Sequence, residues 1–278
     1  MTAVIRIGAL ISGSGTNLKA IIDACTDGRI TGELVFVGSD NPEATGFKWA
    51  KALQIPTFTV DYSDIIQRYR EDAASLTLPA GGDIEAIISR QRIFPSQSSR
   101  EKLNAFFTTR LVAEDRLLSR MSAYPFDLLV LAGFMRNLTP YFIDSINTDP
   151  MRPRIMNIHP ALLPAFPGVD GYGDTFRYGC KVGGCTVHFV DYGEDSGPII
   201  AQKAFEIRSE DTLETIRKRG LALEWALYPR CIQLFAANRL RIEKATHTLP
   251  RKRPYTRTIV RIISSTQSVG ADRSTDLI

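Results

Sequence analysis

Short apolar runs alternate with amphipathic segments along the N-terminal part of the chain. Apolar runs at residues 4–11, 34–37 and 55–60 predict buried β-strands. Between them, apolar positions recur at helical spacing, which predicts one helix beginning near Leu18 and a second over residues 44–53. Strands that alternate with helices indicate a parallel sheet joined by right-handed crossovers.

Residues from about 63 to 98 fit this alternation poorly. Helix-breaking segments at residues 78–83 and 94–96 interrupt any regular pattern, so we interpret the region as an insertion. A long helix is predicted to follow from Ser98, leading to an apolar strand that begins at Leu128.

The C-terminal half continues the pattern and then loses it. Strands are predicted at residues 155–158, 185–190 and 199–207, and a last helix is predicted by the spacing Asp211-x-x-Glu214, which is typical of a capping box. We therefore expect one domain over residues 1–242. Residues 243–278 are interpreted as a basic, partly disordered extension, in which residues 258–263 are able to form a short edge strand.

Composition narrows the class of protein. A chain of 278 residues with 44% hydrophobic residues can bury a large core, and we expect an α/β fold with a Rossmann-like, mostly parallel sheet flanked by helices. The sequence shows neither a signal-peptide pattern nor the roughly 20 consecutive apolar residues that span a membrane, so a cytoplasmic location is expected.

The four cysteines lack metal-ligand spacing, which favours reduced thiols and no metal site. Much of the excess positive charge, +4 overall, lies after residue 238, which favours a solvated tail over nucleic-acid binding.

The turn after the first strand is a candidate anion site. Residues 12–17 read Ser-Gly-Ser-Gly-Thr-Asn and precede a helix, whose N-terminal N–H groups and dipole favour a phosphate. The segment lacks the third glycine of a dinucleotide motif and the Gly-Lys of a P-loop. A tight turn before a capped helix is the alternative.

Three polar side chains are candidates for catalysis. Asn157 and His159 are two positions apart on a predicted strand, so their side chains point the same way at the edge of the sheet where α/β folds bind ligands. Asp195 lies in a Gly-Glu-Asp-Ser-Gly turn, where it is either a turn residue or a partner that keeps an imidazole protonated. A lone histidine is more often a packed or surface residue, but the position of His159 beside Asn157 favours a functional site. His188 is predicted to be a structural histidine inside a strand, and His247 is predicted to be inert.

In combination, several segments make the chain resemble a known family, the glycinamide ribonucleotide formyltransferases of the formyltetrahydrofolate-dependent group. The matching segments are residues 11–18, 131–136, 157–160, 162–164, 187–190, 195–200, Glu224 and 228–229. The resemblance covers residues 4–240 apart from the insertion. It implies the formyltransferase fold and transfer of a formyl group from 10-formyltetrahydrofolate to the amine of glycinamide ribonucleotide in purine biosynthesis.

The resemblance also implies roles for individual residues. Asn157, His159 and Asp195 would form the catalytic trio, with Asn157 and protonated His159 stabilising the carbonyl oxygen during transfer. The ribonucleotide and its phosphate would contact Gly15, Thr16, Asn17 and Glu224. The folate pocket would comprise Arg100, Met135, Arg136, Asn137, Leu138, Asn157, Asp191, Tyr192, Gly193, Glu194 and Asp195. A homodimer is compatible with the sequence, and neither nucleic acid nor a membrane is expected as a partner.

The chain departs from the family at a few positions, and other functions stay open. Residues 169–175 read Val-Asp-Gly-Tyr-Gly-Asp-Thr where a histidine-bearing loop is usual, and Trp225 stands where a histidine is common. A formyltetrahydrofolate hydrolase or a formyltransferase of amino-sugar nucleotides would use the same trio. A formyltetrahydrofolate hydrolase is expected to carry a regulatory domain before its first strand. A methionyl-tRNA formyltransferase would be expected to add an RNA-binding domain, and a nucleotide-binding regulatory protein would not require the trio.

Overall fold

The computed structural model describes residues 4–248, 250 and 253–264. Its centre is a seven-stranded sheet in the order β3-β2-β1-β4-β5-β6-β7. The strands are β1 (Ile5–Ile11), β2 (Gly32–Ser39), β3 (Thr57–Thr59), β4 (Leu128–Leu131), β5 (Ile155–His159), β6 (Val182–Phe189) and β7 (Ile199–Glu206). The first five in chain order are parallel, and β6 pairs antiparallel with both of its neighbours. The expected mostly parallel α/β sheet is confirmed.

Helices cover both faces of this sheet. They are α1 (Thr16–Thr26), α2 (Phe47–Lys51), α3 (Tyr62–Glu71), α4 (Ile84–Arg90), α5 (Arg100–Met121), α6 (Pro140–Ile146), α7 (Gly171–Arg177) and α8 (Leu213–Ala236). One buried apolar cluster joins the sheet to α1 and α8, and a second joins it to α3, α5 and α6. Side chains of β1 alternate between the two clusters, with Ile7 in the first and Leu10 in the second.

The strand order predicts a ligand-binding crevice between the loops that follow β1 and β4. The chain leaves β1 toward β2 on one side and returns to β4 on the other side. The loops that follow β1 and β4 therefore diverge, and the crevice between them is where open α/β sheets bind ligands. The predicted strand at residue 128 ends at Leu131, earlier than its apolar run, because Gly133 adopts a positive φ of 81° and turns the chain into a loop at this crevice.

The insertion forms an ordered layer beside α5. It contains most of α3, a short 3-10 turn (Ala73–Ser75) and α4, and it has its own small apolar cluster with α5. Beyond α4, Arg92 forms a parallel bridge with Gly193 in the loop after β6. The insertion thus reaches a loop that the sequence assigns to the folate pocket.

The last helix and the C-terminal segment differ from the sequence-based expectation. The N-cap of α8 is Thr212, which forms a capping box with Thr215, whereas Asp211 binds Arg219. The helix continues through Gly220 and Pro229. After it, β8 (Leu240–His247) and β9 (Tyr255–Ile262) form an antiparallel hairpin, so the expected domain boundary at residue 242 falls inside a strand. Residues 249, 251–252 and 265–278 of the expected disordered extension lie outside the described residues.

Within the described ranges, none of the helices combines the length and apolarity needed to cross a membrane.

Candidate active site

A cleft of about 440 Å³ opens at the carboxyl ends of the parallel strands β1, β4 and β5, and the loop after the antiparallel strand β6 also lines it. Most of the residues that the sequence assigned to the site line it. They are Thr16, Asn17, Met135, Arg136, Asn137, Leu138, Asn157, His159, Asp191, Gly193, Glu194, Asp195 and Glu224. The cleft therefore joins the turn after β1, the loop after β4 and the loop after β6 in one space.

The three candidate catalytic side chains meet in this cleft. Nδ1 of His159 lies 3.1 Å from Oδ2 of Asp195, and Nδ2 of Asn157 lies 3.4 Å from Oδ1 of the same carboxylate. The opposite ring nitrogen of His159, Nε2, lies 2.7 Å from the carbonyl oxygen of Phe166. Both ring nitrogens thus face acceptors, and only the protonated imidazolium can donate to both. This geometry favours the protonated form of His159.

The electrostatics of the pair agree with this geometry. Burial opposes a charge on His159, but the hydrogen bond and charge of Asp195 outweigh it, so the pKa of His159 lies above its ordinary value. Burial likewise opposes the charge on Asp195. The hydrogen bond and charge of His159, together with the nearby His188 ring, outweigh burial and hold the pKa of the Asp195 carboxyl well below its usual range. The N–H of Gly168 also donates to this carboxylate, at 2.9 Å.

His188 belongs to this cluster, although the sequence pattern indicated a purely structural role. Its Nε2 lies 3.6 Å from Oδ1 of Asp195 and 3.4 Å from Nδ2 of Asn157. The reason is strand register, because Asn157 on β5 is directly opposite His188 on β6. Pairing the two segments as antiparallel neighbours would have revealed the contact.

The turn after β1 prepares the N-terminus of α1. Gly15 is its N-cap with a φ of 65°, and no side chain among the described residues caps the helix. A Cβ on Gly15 would lie 2.9 Å from the Cα of Gly46, so glycine permits the close approach of these two loops. The N–H groups of the first turn remain available to an anion at the mouth of the cleft.

Glu224 connects this turn to the other side of the cleft. The carboxylate is buried, with 4% exposure. Its Oε2 accepts a hydrogen bond from Nδ2 of Asn17 at 2.7 Å, and its Oε1 accepts one from the hydroxyl of Tyr172 at 2.7 Å. Tyr172 lies in the segment that departs from the family pattern, so sequence comparison alone gave no sign of this contact.

The loops after β4 and β6 form the other end of the cleft. The N–H of Met135 donates to the Ser12 hydroxyl at 2.8 Å, which ties the β4 loop to the turn after β1. The Asn137 amide donates to Glu194 at 3.0 Å, which links the two loops. The guanidinium of Arg136 pairs with the buried carboxylate of Asp40.

Three residues that were expected to contact ligands do not line the cleft. Arg100, at the start of α5, forms an ion pair with Glu85, because the insertion places α4 beside it. The hydroxyl of Tyr192 turns outward to Asp144 and Arg90. Gly15 is the N-cap residue of α1, and the cleft is lined by the next residue, Thr16.

The chain matches a family model described as formyl transferase over residues 5–232. It belongs to the formyl transferase family. Over 240 residues it is 32% identical to the phosphoribosylglycinamide formyltransferase of Bacillus subtilis (strain 168), covering 86% of this chain and 99% of that relative. Over 239 residues it is 30% identical to the Escherichia coli (strain K12) enzyme of the same name, covering 86% and 91%.

Solved structures agree with these matches. Glycinamide ribonucleotide transformylase 1 from Symbiobacterium toebii superposes with a TM-score of 0.66 at 36% identity, covering 94% of this chain and 95% of that one. The formyltransferase fold expected from the sequence is confirmed. No group of three or more histidine, cysteine, aspartate or glutamate residues suited to holding a metal ion occurs in the part of the chain that the structure describes.

Proposed function

We propose that this formyl transferase moves the formyl group of 10-formyltetrahydrofolate to the amine of glycinamide ribonucleotide, giving formylglycinamide ribonucleotide and tetrahydrofolate for purine biosynthesis. The observation that carries the proposal is the meeting of Asn157, His159 and Asp195 at the centre of one cleft. An anion-favouring helix terminus flanks these residues on one side, and the loops after β4 and β6 flank them on the other.

The chemistry needs charge stabilisation and proton transfer. The substrate amine attacks the formyl carbon, so a new carbon–nitrogen bond forms while the bond from that carbon to the folate nitrogen breaks. The amine loses a proton and the folate nitrogen gains one. Negative charge develops on the carbonyl oxygen, and the Asn157 amide and the His159 imidazolium are the donors placed to stabilise it.

In the protonated ring, Nε2 of His159 donates its proton to the carbonyl oxygen of Phe166. A substrate oxygen that approaches Nε2 competes with this carbonyl for the same proton, and Asp195 keeps the ring oriented during the exchange. The trio therefore supplies a donor, a proton-carrying group and its counter-ion.

The two substrates occupy opposite ends of the cleft in this proposal. The phosphate lies at the N-terminus of α1 near Thr16 and Asn17, with Glu224 beside the remainder of the ribonucleotide. The pterin lies between the β4 loop and the β6 loop, near residues 135–138 and 191–195. The reacting carbon then meets the amine beside His159.

The test follows folate release from 10-formyltetrahydrofolate with and without glycinamide ribonucleotide. We expect release that requires the ribonucleotide and yields formylglycinamide ribonucleotide in equal amount. Release that is indifferent to the ribonucleotide indicates hydrolysis, and release only with an amino-sugar nucleotide indicates another acceptor. Either result contradicts the proposal. A cytoplasmic location and a homodimeric assembly stay predictions.

A further inference from the structure

The ring of Tyr172 packs against Gly220 of α8, where a larger residue would clash with it. The ring is 5% exposed and lies in a small apolar cluster with Ile207 and Ile216. A Cβ on Gly220 of α8 would lie 2.2 Å from Cζ of the Tyr172 ring. The helix therefore has a gap at Gly220 that the tyrosine fills, and the two residues are complementary in shape.

This packing aims the phenol at Glu224, one helical turn beyond Gly220. The hydroxyl donates to Oε1 at 2.7 Å, while the Asn17 amide donates to Oε2 at 2.7 Å. Each carboxylate oxygen thus has one neutral donor from a separate element, α7 on one side and α1 on the other. A buried carboxylate with a donor on each oxygen is fixed in orientation.

The same arrangement fixes the Asn17 amide beside the cleft. Asn17 lines the cleft, and its Oδ1 is buried without a hydrogen-bond partner among residues 4–248, 250 and 253–264. Because Nδ2 of Asn17 is committed to Glu224, the amide cannot flip without losing that bond. Tyr172 therefore orients Glu224 directly and Asn17 through Glu224.

We propose that Tyr172 is a positioning residue that holds the Glu224 carboxylate, and through it the Asn17 amide, in one orientation for binding the ribonucleotide substrate. The inference rests on the proposed function for the identity of that substrate. It assigns a role to the segment at residues 169–175 that departs from the family pattern. Tyr172 itself touches neither reacting atom, and its effect is confined to the ribonucleotide end of the cleft.

The protonation of Glu224 offers a signature of this role. Burial raises the pKa of Glu224 above its usual value, and the hydrogen bonds from Asn17 and Tyr172 and the charge of His159 act against the rise. The titratable groups that face Glu224 from neighbouring elements are Tyr172 on α7, His159 on β5 and Cys185 on β6. Arg217 of α8 also lines the cleft, where it pairs with Asp170. Loss of the tyrosine hydroxyl removes one of the bonds that favour the carboxylate. The pKa of Glu224 then rises further.

The test compares steady-state kinetics of the full chain and Tyr172→Phe, with Tyr178→Phe as the matched control. Tyr178 is an exposed tyrosine at the C-cap of the same helix. For Tyr172→Phe we expect the KM for glycinamide ribonucleotide to rise about tenfold, because one hydrogen bond to a charged group is lost. The kcat and the KM for 10-formyltetrahydrofolate should stay within about twofold of wild type. The acid limb of kcat/KM for the ribonucleotide should move to higher pH, and Tyr178→Phe should match wild type throughout.

Other outcomes overturn the inference in distinguishable ways. If wild type shows no ribonucleotide-dependent transfer, the proposed function fails. If wild type is active and Tyr172→Phe keeps the wild-type KM and acid limb, the positioning role fails while the function stands. A parallel rise in both KM values with a lowered melting temperature identifies a structural role and also overturns it. Gly220→Ala, which displaces the ring from the helix side, should reproduce the KM effect of Tyr172→Phe, and a wild-type KM in that variant contradicts the inference.

Discussion

At the scale of single residues, the site is organised around one carboxylate. Asp195 has a positive φ of 48°. One oxygen of its carboxylate accepts a hydrogen bond from the imidazole of His159, and the other oxygen lies near Asn157 and His188. Its charge compensates the buried cation and fixes the ring of His159. A neutral side chain of the same shape would keep the packing and remove the compensation.

Asp195→Asn should therefore lower the pKa of His159 and slow formyl transfer. Without the anion, burial dominates and favours the neutral imidazole. We expect kcat to fall by roughly 10²-fold or more, as when a general acid–base group is disabled. The ring-proton chemical shifts of His159, followed by NMR against pH, measure the pKa. An unchanged pKa would show that Asp195 does not sustain the cation.

The same pair makes stability depend on pH. The raised pKa of His159 contributes stability that is complete below its unfolded value of about 6.5 and is lost as pH rises through the folded pKa. The lowered pKa of Asp195 contributes stability that is complete above its unfolded value of about 3.9 and is lost as pH falls. The unfolding free energy of wild type should therefore exceed that of Asp195→Asn most between about pH 4 and 6.5. Urea denaturation across this range checks the expectation, and a difference independent of pH would contradict it.

At the scale of elements, the insertion is attached to the loop that carries Asp195. The N–H of Arg92 donates to the carbonyl of Tyr192 at 2.9 Å, and its guanidinium lies 2.6 Å from the Asp191 carboxylate. Sequence periodicity identified the insertion by its poor fit to the βα pattern, but it held no information on this contact, which joins segments about 100 residues apart.

Arg92→Ala should loosen the β6 loop and raise the KM for 10-formyltetrahydrofolate by a few-fold. The effect is small because the Arg92 side chain is 63% exposed and exposed ion pairs are weak. Arg68→Ala is the matched control, since its pair with Asp64 lies within α3 of the same insertion. Equal KM values for the two variants would show that the Asp191 contact does not support the folate end of the cleft.

Local patterns predicted most of the elements, and long-range contacts account for the misses. The strands of the sheet and the long helix α5 follow from apolar periodicity, with Ser99 capping α5 close to the predicted start. The cap of α8 was misplaced by one residue, because Thr212 bonds the Thr215 N–H while Asp211 binds Arg219. Periodicity also held no information on the ion pair of Arg100, whose partner, Glu85, comes from the insertion. The pairing of Asn157 with His159 was predictable, since side chains two positions apart on a strand point the same way at the carboxyl edge of the sheet. The contact of Asp195 with His159 was not, because Asp195 follows the antiparallel strand β6 and only the family resemblance suggested its role.

At the scale of the whole molecule, the C-terminal hairpin completes the core on one face of the sheet. Ile242 of β8 is 6% exposed and belongs to the cluster that includes α1 and α8. Most other side chains of β8 and β9 are polar and exposed or half-buried, which is why the sequence suggested a disordered extension. The hairpin therefore packs on the same core as the sheet, α1 and α8.

Ile242→Ala should destabilise the protein by about 2–4 kcal/mol, since it removes a buried aliphatic side chain from a packed cluster. Ile262→Ala, at an exposed position on the partner strand of the hairpin, should cost less than about 0.5 kcal/mol. Chemical denaturation of both variants measures the difference. Equal free energies of unfolding would show that the hairpin is not part of the core.

The most direct measurement is the ribonucleotide-dependent rate of tetrahydrofolate release by wild type, His159→Ala and His247→Ala. His247 is an exposed histidine on β8 and serves as the matched control. The account predicts release only when glycinamide ribonucleotide is present, a loss of about 10²-fold or more in kcat for His159→Ala, and a wild-type rate for His247→Ala. A near-normal rate for folded His159→Ala would contradict it.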